Sequence, residues 1–343
     1  MEVNKNDKKL FTEINHLIDE SRKQFALAAN AGITFLYWKI GNRINTEVLK
    51  NTRADYGKGI VPALATQLVE QYGKGFEEKS LRRMMMQFAQ VFPDEQIVVS
   101  LIRQLSWTHF IALIPLKDEL QREFYIQMCK AERWSVKTLR QKIDGMLFER
   151  TAISRKPQKL IKEELKNLAD NDTLTPDLVF KDPYFLAFTG LKDTYSEKSL
   201  EDAILHDLEH FILELGSGFA FVERQKRMII DGGDFSLDLL FYHRKLKRLI
   251  TIDLKLGRFK AAYKGQMELY LRWLQKHEMQ KGEQTPLGLI LCAEGNKEQI
   301  ELLQLEQTGI RIAEYLTELP DKKLLRQKLH SAIEQNKKRL DNE

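Results

Sequence analysis

Residues 235–255 read FSLDLLFYHRKLKRLITIDLK, and the fold of the whole C-terminal half turns on this stretch. Strand side chains alternate between faces, so in LITIDLK Asp253 and Lys255 point one way while Ile250, Ile252 and Leu254 point the other. Asp238 interrupts the apolar run FSLDLLFY in the same manner. Two acids and a lysine thus intrude on strands that would otherwise be wholly apolar. An unpaired charge there is costly, and a divalent cation with oxygen ligands is the partner that suits two carboxylates. The competing reading is a structural ion pair among the three side chains.

Outward from this stretch, 219–230, 235–242 and 248–255 read as strands, the first two joined by Asp231-Gly232-Gly233-Asp234, whose glycines supply the positive φ of a tight hairpin. An amphipathic helix is expected at 197–215, a helix at 261–280, a strand at 287–292, a helix at 296–307 and a strand at 310–315. The order is α-β-β-β-α-β-α-β. Glu201 falls inside the apolar stripe Leu200, Ile204, Leu205, Leu208, Phe211, Ile212 and Leu215. It is either a cap following Ser199 or an acid aimed at the site. Gln266 likewise lies in the stripe of Tyr263, Met267, Tyr270, Trp273 and Leu274, as a core amide or as part of the same set.

The chain has 343 residues, enough for about two domains, and 43% hydrophobic content. Neither a membrane span nor a signal peptide is visible, so a cytoplasmic protein is expected. Cys129 and Cys292 form no CxxC pair and read as buried thiols. Of the net charge of +5, residues 1–150 carry the excess, with 23 Lys and Arg against 18 Asp and Glu, while 151–343 hold 31 of each. That bias suits a polyanionic partner for the N-terminal half.

Residues 10–150 read as helices, with breaks at Tyr56-Gly57-Lys58-Gly59, Gly73-Lys74-Gly75 and Pro93. VPALATQLVEQY, GKGF and EEKSLRRMMMQFAQ outline a helix-turn-helix that would offer Lys79, Arg82 and Arg83 to nucleic acid. A second outline runs from LSWTHFIALIPL to WSVKTLRQKI, with Lys137, Arg140 and Lys142 on its last helix, and is faintly similar to ParB-type DNA-binding helices. Basic helix hairpins also occur without that role. Met84-Met85-Met86, Trp107 and Trp134 read as core. The polar stretch 151–183 reads as a connector with one short helix, and a charged helix is expected at 321–343.

The set Glu201, Asp238, Asp253-Leu254-Lys255 and Gln266 resembles the signature of the PD-(D/E)xK nuclease superfamily. More closely, GFAFVERQKR, the Asp234–Lys260 segment, YKGQMELYLRWL, and in the N-terminal half YWKIGNRI, YGKGFEEKSLRRM, LSWTHF and ERWSVKTLRQKI, are similar to the YhcG-like family. Asp253 stands where that family usually has Glu. The resemblance implies an all-helical N-terminal domain (10–150) and, after the connector, a restriction-endonuclease-like α-β-β-β-α-β core within 184–320. It implies Mg2+, with Mn2+ able to substitute, on Asp238 and Asp253, with Glu201 ligating directly or through water. Lys255 would orient the attacking water or stabilise charge on the phosphate, and Gln266 would fix the geometry. The activity implied is DNA endonuclease cleavage, in defence against foreign DNA or in repair, with a homodimer as one route to double-strand cutting. RNA or branched DNA as substrate, a catalytically idle nucleic-acid-binding protein, and a regulatory DNA-binding protein stand as alternatives. Arg224 and Gln225 face substrate on the same resemblance.

Two further segments carry other readings. His206-Asp207-Leu208-Glu209-His210 has the HxxEH spacing of an inverted zinc-peptidase motif, but both histidines fall opposite the apolar stripe, as on a solvated face. His243, with Arg244, Lys245, Lys247 and Arg248, forms either a phosphate-contacting hairpin or a solvated turn.

Overall fold

The computed structural model describes residues 5–50, 54–191, 195–295, 297–303 and 305–340. These form two compact units, Met1–Gln141 and Lys142–Glu343.

Every regular element among the described residues of the first unit is a helix. Its Lys5–Lys50 helix runs 46 residues. The Ala54–Tyr72 helix passes through Gly57 and Gly59 without the expected break. Each glycine disfavours helix by about 1 kcal/mol, but Val61 and Ala65 pack on Ile44, Leu81 and Met84, and that burial outweighs the local penalty. The turn at Gly73 does form, with φ of +90°. After it the Glu78–Arg82 helix widens into a π-helical turn at Arg83–Phe88. Trp107 packs edge-on against Tyr37, with ring centroids 5.2 Å apart. Met84 is buried and Trp134 half-buried, while the side chains of Met85 and Met86 lie outside the described residues.

The second unit holds a six-stranded mixed sheet in the order β1-β6-β5-β4-β3-β2. Its strands are β1 (Tyr184–Phe185), β2 (Phe219–Ile230), β3 (Gly233–His243), β4 (Arg248–Arg258), β5 (Leu287–Glu294) and β6 (Ile310–Leu316). β2, β3 and β4 form an antiparallel meander, and β4, β5, β6 and β1 run parallel. The Glu197–His206 helix packs on β4, and the Ala262–His277 helix crosses from β4 to β5. Its Met267, Tyr270, Leu271 and Leu274 are buried. Leu239, Ile250, Ile252, Leu289 and Ile290 are fully buried at the sheet's centre.

The second unit departs from the sequence reading in two features, and its expected C-terminal helix gains an anchor. The helix expected at 197–215 breaks at Asp207 (φ −121°, ψ 50°) into Glu197–His206 and Leu208–Leu215. Residues 142–183 belong to the second unit: Ile161, Leu165 and Leu168 of the Gln158–Asn171 helix are buried, and the Asp182 carboxylate accepts from Glu314 N of β6 at 2.8 Å. Polar composition hid that stripe. Finally, the Lys322–Leu340 helix is anchored, with Leu325 and Leu329 packed on Met146.

Candidate active site

β3 and β4 pair from His243↔Arg248 to Leu239↔Ile252, and there the ladder stops. Continuing the register would place Asp238 opposite Asp253. Instead the strands part at the two acids while β4 stays paired to β5 through Asp253↔Ile290 and Lys255↔Cys292. Parting leaves backbone donors of β4 without a β3 carbonyl, and such buried groups must find another acceptor. Asp238 supplies it: its Oδ2 accepts from Leu254 N at 2.8 Å.

Asp253 is 2% exposed, and its Oδ2 lies 2.9 Å from Lys255 Nζ. The pair shares one face, as alternation requires, but it is not a closed ion pair, because the neighbouring Asp238 carboxylate also acts on Asp253. Burial first, then the Asp238 charge, pushes the Asp253 carboxyl up to about 7 against the pull of Lys255. Burial alone would lower Lys255, but the charge and hydrogen bond of Asp253, with Asp238 and Glu197 behind them, raise it, keeping it a firm cation.

Glu201 is no cap. The N-cap of its helix is Ser196, whose side chain accepts from Ser199 N at 3.0 Å. Glu201 itself is buried beside Leu200 and Ile204. Its Oε2 accepts from Gln225 Nε2 at 2.7 Å, and the same amide nitrogen lies 3.3 Å from Asp238 Oδ1. Its Oε1 is buried without a hydrogen bond, and burial raises the carboxyl above the ordinary range. Gln266 does not reach the acids. Its Nε2 donates to Tyr270 OH at 2.6 Å, which donates to Ser236 O at 3.1 Å, while Ser236 Oγ donates to Gln225 Oε1 at 2.6 Å. Gln266 therefore supports the acids at several removes.

Residues 13–150 match the DUF1016 N-terminal domain, and residues 177–330 match the YhcG PDDEXK nuclease domain. A protein of Escherichia coli (strain K12) called "Putative nuclease YhcG" is 33% identical over 348 residues, covering 92% of each chain. The chain belongs to the YhcG family. Among solved structures, a repair endonuclease from Pyrococcus abyssi is 18% identical, matching 38% of this chain and 50% of that one with a TM-score of 0.27. An EndoMS complex with double-stranded DNA is 16% identical over 38% of this chain and 49% of that one, with a TM-score of 0.28. We draw nothing from overlaps this small.

The PDDEXK assignment raises the question of a metal. Among the described residues no three His, Cys, Asp or Glu side chains converge as a ready cage. What the site has is two neighbouring acids, Asp238 and Asp253, and a third, Glu201, joined to Asp238 by one amide. The donors are all oxygens, which suits a hard cation, and the raised Asp253 carboxyl and the orphaned Glu201 Oε1 are both conditions that added positive charge would relieve. The residues fit.

The remaining expected contacts divide. Arg224 is exposed, with Nε 3.9 Å from Glu201 Oε1. Gln225 faces the acids, bridging two of them. Arg244 is exposed. His243 is a correction: it is fully buried, meets Phe219 edge-on at 4.7 Å and accepts from Leu246 N through Nδ1 at 3.1 Å. Burial drives it down to about 4, so it stays neutral and closes the β3–β4 turn from inside, out of reach of any phosphate. His206 and His210 are exposed, His210 Nδ1 lying 2.6 Å from Asp207 Oδ1. In the first unit Lys79, Arg82 and Arg83 line a shallow cleft of about 600 Å³ with Glu77, Glu78 and Gln87, and Arg82 is paired to Glu78 at 2.7 Å. Lys137 and Arg140 are exposed on the Val136–Asp144 helix.

Sequence reading missed three members of the site: Ser236, Tyr270 and the bridging role of Gln225. Tyr270 stands four residues after Gln266 on one helix face, a spacing that could have paired them. Gln225 had no such signal.

Proposed function

We propose that the second unit hydrolyses DNA phosphodiester bonds as an endonuclease, with Mg2+ or Mn2+ held by Asp238 and Asp253 and with Glu201 beside them. The observation that carries this is the placing of buried Asp253 beside half-buried Asp238 in the gap where β3 leaves β4, with a lysine paired to Asp253 on the same face. A cation bound there would polarise a phosphate oxygen and acidify a water ligand.

The protein's own groups do the rest. Asp238 is held by Leu254 N at Oδ2, so Oδ1, which meets the long Gln225 bond, keeps a fixed direction. Lys255, positioned by Asp253 and charged at any working pH, meets the negative charge that builds on the phosphate oxygens. Asp253 must lose its proton before it can hold a cation, which favours activity above neutral pH. Lys79, Arg82, Arg83, Lys137 and Arg140 in the first unit would contact backbone phosphates without reading sequence. One site cuts one strand, so duplex cleavage takes two copies or two successive events. Such an activity would serve defence against foreign DNA or repair.

The test is incubation with supercoiled, linear, single-stranded and branched DNA and with RNA, under Mg2+, Mn2+ or EDTA. Metal-dependent scission of DNA that EDTA stops is the expected result. Cleavage of RNA alone would replace the substrate, and retention of DNA without scission under either metal would make this a binding protein.

A further inference from the structure

Consecutive strand residues point to opposite faces, yet Arg224 and Gln225 both reach Glu201, at 3.9 and 2.7 Å. The cause lies in the backbone. Gln225 has φ of +46°, a left-handed conformation that a residue with a Cβ enters only at a cost. No turn requires it. Arg224↔Leu239 and Lys226↔Leu237 pair on either side, so β2 continues through Gln225 and sets it opposite Asp238.

Strain of this kind persists only where surrounding contacts impose it. Here the contacts are those of a single carboxamide: its nitrogen donates to Glu201 and Asp238, and its oxygen accepts from Ser236. Placed between two carboxylates, an NH2 group does in part what a cation does. It offers both acids positive charge, though only the partial charge of a neutral amide. Gln225 is also exposed, so its side chain can swing outward without displacing packed atoms.

We propose that Gln225 is a removable placeholder in the metal site: a positioning residue that holds Glu201 and Asp238 together in the metal-free protein and releases them when the divalent cation enters. This rests on the metal site assigned above to Asp238 and Asp253. The cation competes with the bridge, so the bridge weakens apparent metal affinity while keeping the empty site from being pushed apart by its own charge.

The test measures Mn2+ binding to the full chain without nucleic acid, by calorimetry or by the EPR signal of free Mn2+. Gln225→Gly removes the carboxamide and tolerates positive φ; Gln225→Asn, too short to span both acids, is a second variant should the first fold poorly. Each is expected to bind Mn2+ more tightly than the wild type, about tenfold for the loss of competing hydrogen bonds to charged groups. Equal or weaker affinity in the folded variants overturns the placeholder. If the wild type binds no Mn2+ that Asp238→Ala abolishes, the metal-site reading itself is wrong.

Discussion

The second unit contains two knots of buried charge, and they are built in opposite ways. Around Glu214 one carboxylate faces two cations: Arg150 Nη1 lies 2.5 Å away, and Lys181 bonds the Glu214 carbonyl. Arg150 also reaches Gly145 O at 2.9 Å and Pro183 O at 3.1 Å. Burial opposes the charge on Glu214, but Lys181 and Arg150 hold its carboxyl below the ordinary range. Around Asp253 the balance is reversed. Asp238, Asp253 and Glu201 face Lys255, a more distant Arg224 and an amide, and one Glu201 oxygen has no hydrogen bond. A satisfied knot holds the fold together; an acidic surplus beside an orphaned oxygen is a place prepared for something that is not protein.

Removing charge from each knot should therefore have opposite consequences. The largest effect is expected at the acidic one: Asp238→Ala and Lys255→Ala each lose about 10²–10³-fold or more in metal-dependent cleavage, while thermal melting shifts little. If both variants cut at the wild-type rate, the acidic knot is structural after all. At the other knot, Glu214→Ala leaves buried Arg150 without its carboxylate and Lys181 without the neighbouring charge, and is expected to destabilise the fold by about 3–5 kcal/mol in urea titrations, with cleavage per folded molecule unchanged. Loss of cleavage at undiminished stability would erase the distinction.

The pH dependence sharpens it further. In EDTA, Asp253 binds its proton more tightly folded than unfolded, so its contribution to stability is present at low pH and is lost as pH rises from about 4 towards about 7. Lys181, lowered to about 7 chiefly by burial, binds its proton less tightly folded, so its contribution grows as pH rises from about 7 towards the ordinary lysine range. Melting curves against pH should lose the first slope in Asp253→Asn and the second in Lys181→Met, each on the order of 4 kcal/mol across its window. An unaltered profile in Asp253→Asn would show that this carboxyl is not perturbed. The smallest effect is expected away from both knots. Lys79→Glu with Arg83→Glu should weaken DNA binding several-fold and flatten its salt dependence by about one unit per lost phosphate contact, leaving melting unchanged.

The contrast between the knots also explains what could be read from sequence. Asp238, Asp253 and Lys255 were visible because charge in an apolar strand breaks a period of two, and that signal is local. Glu201 was visible as an acid in a helical stripe, although only the structure, by making Ser196 the cap, decided between two readings. The Glu214 knot was not legible: its partners lie 64 and 33 residues away, one of them in a stretch whose polar composition read as a connector. Gln225 was named through the family resemblance alone, and its bridge between two acids was beyond reach for a different reason. Its direction depends on a positive φ in mid-strand, which alternation, the rule that located Asp253, does not foresee. His243 shows the same limit in reverse, since a histidine beside Arg244 and Lys245 reads as surface until the turn folds it inward.

The most direct measurement is anomalous diffraction from crystals of the wild-type protein grown with Mn2+. A peak is expected in the gap between β3 and β4, about 2.2 Å from carboxylate oxygens of both Asp238 and Asp253, and absent in Asp238→Ala. Manganese at His206 and His210 instead, or no ordered metal beside the two aspartates at saturating Mn2+, would contradict the site.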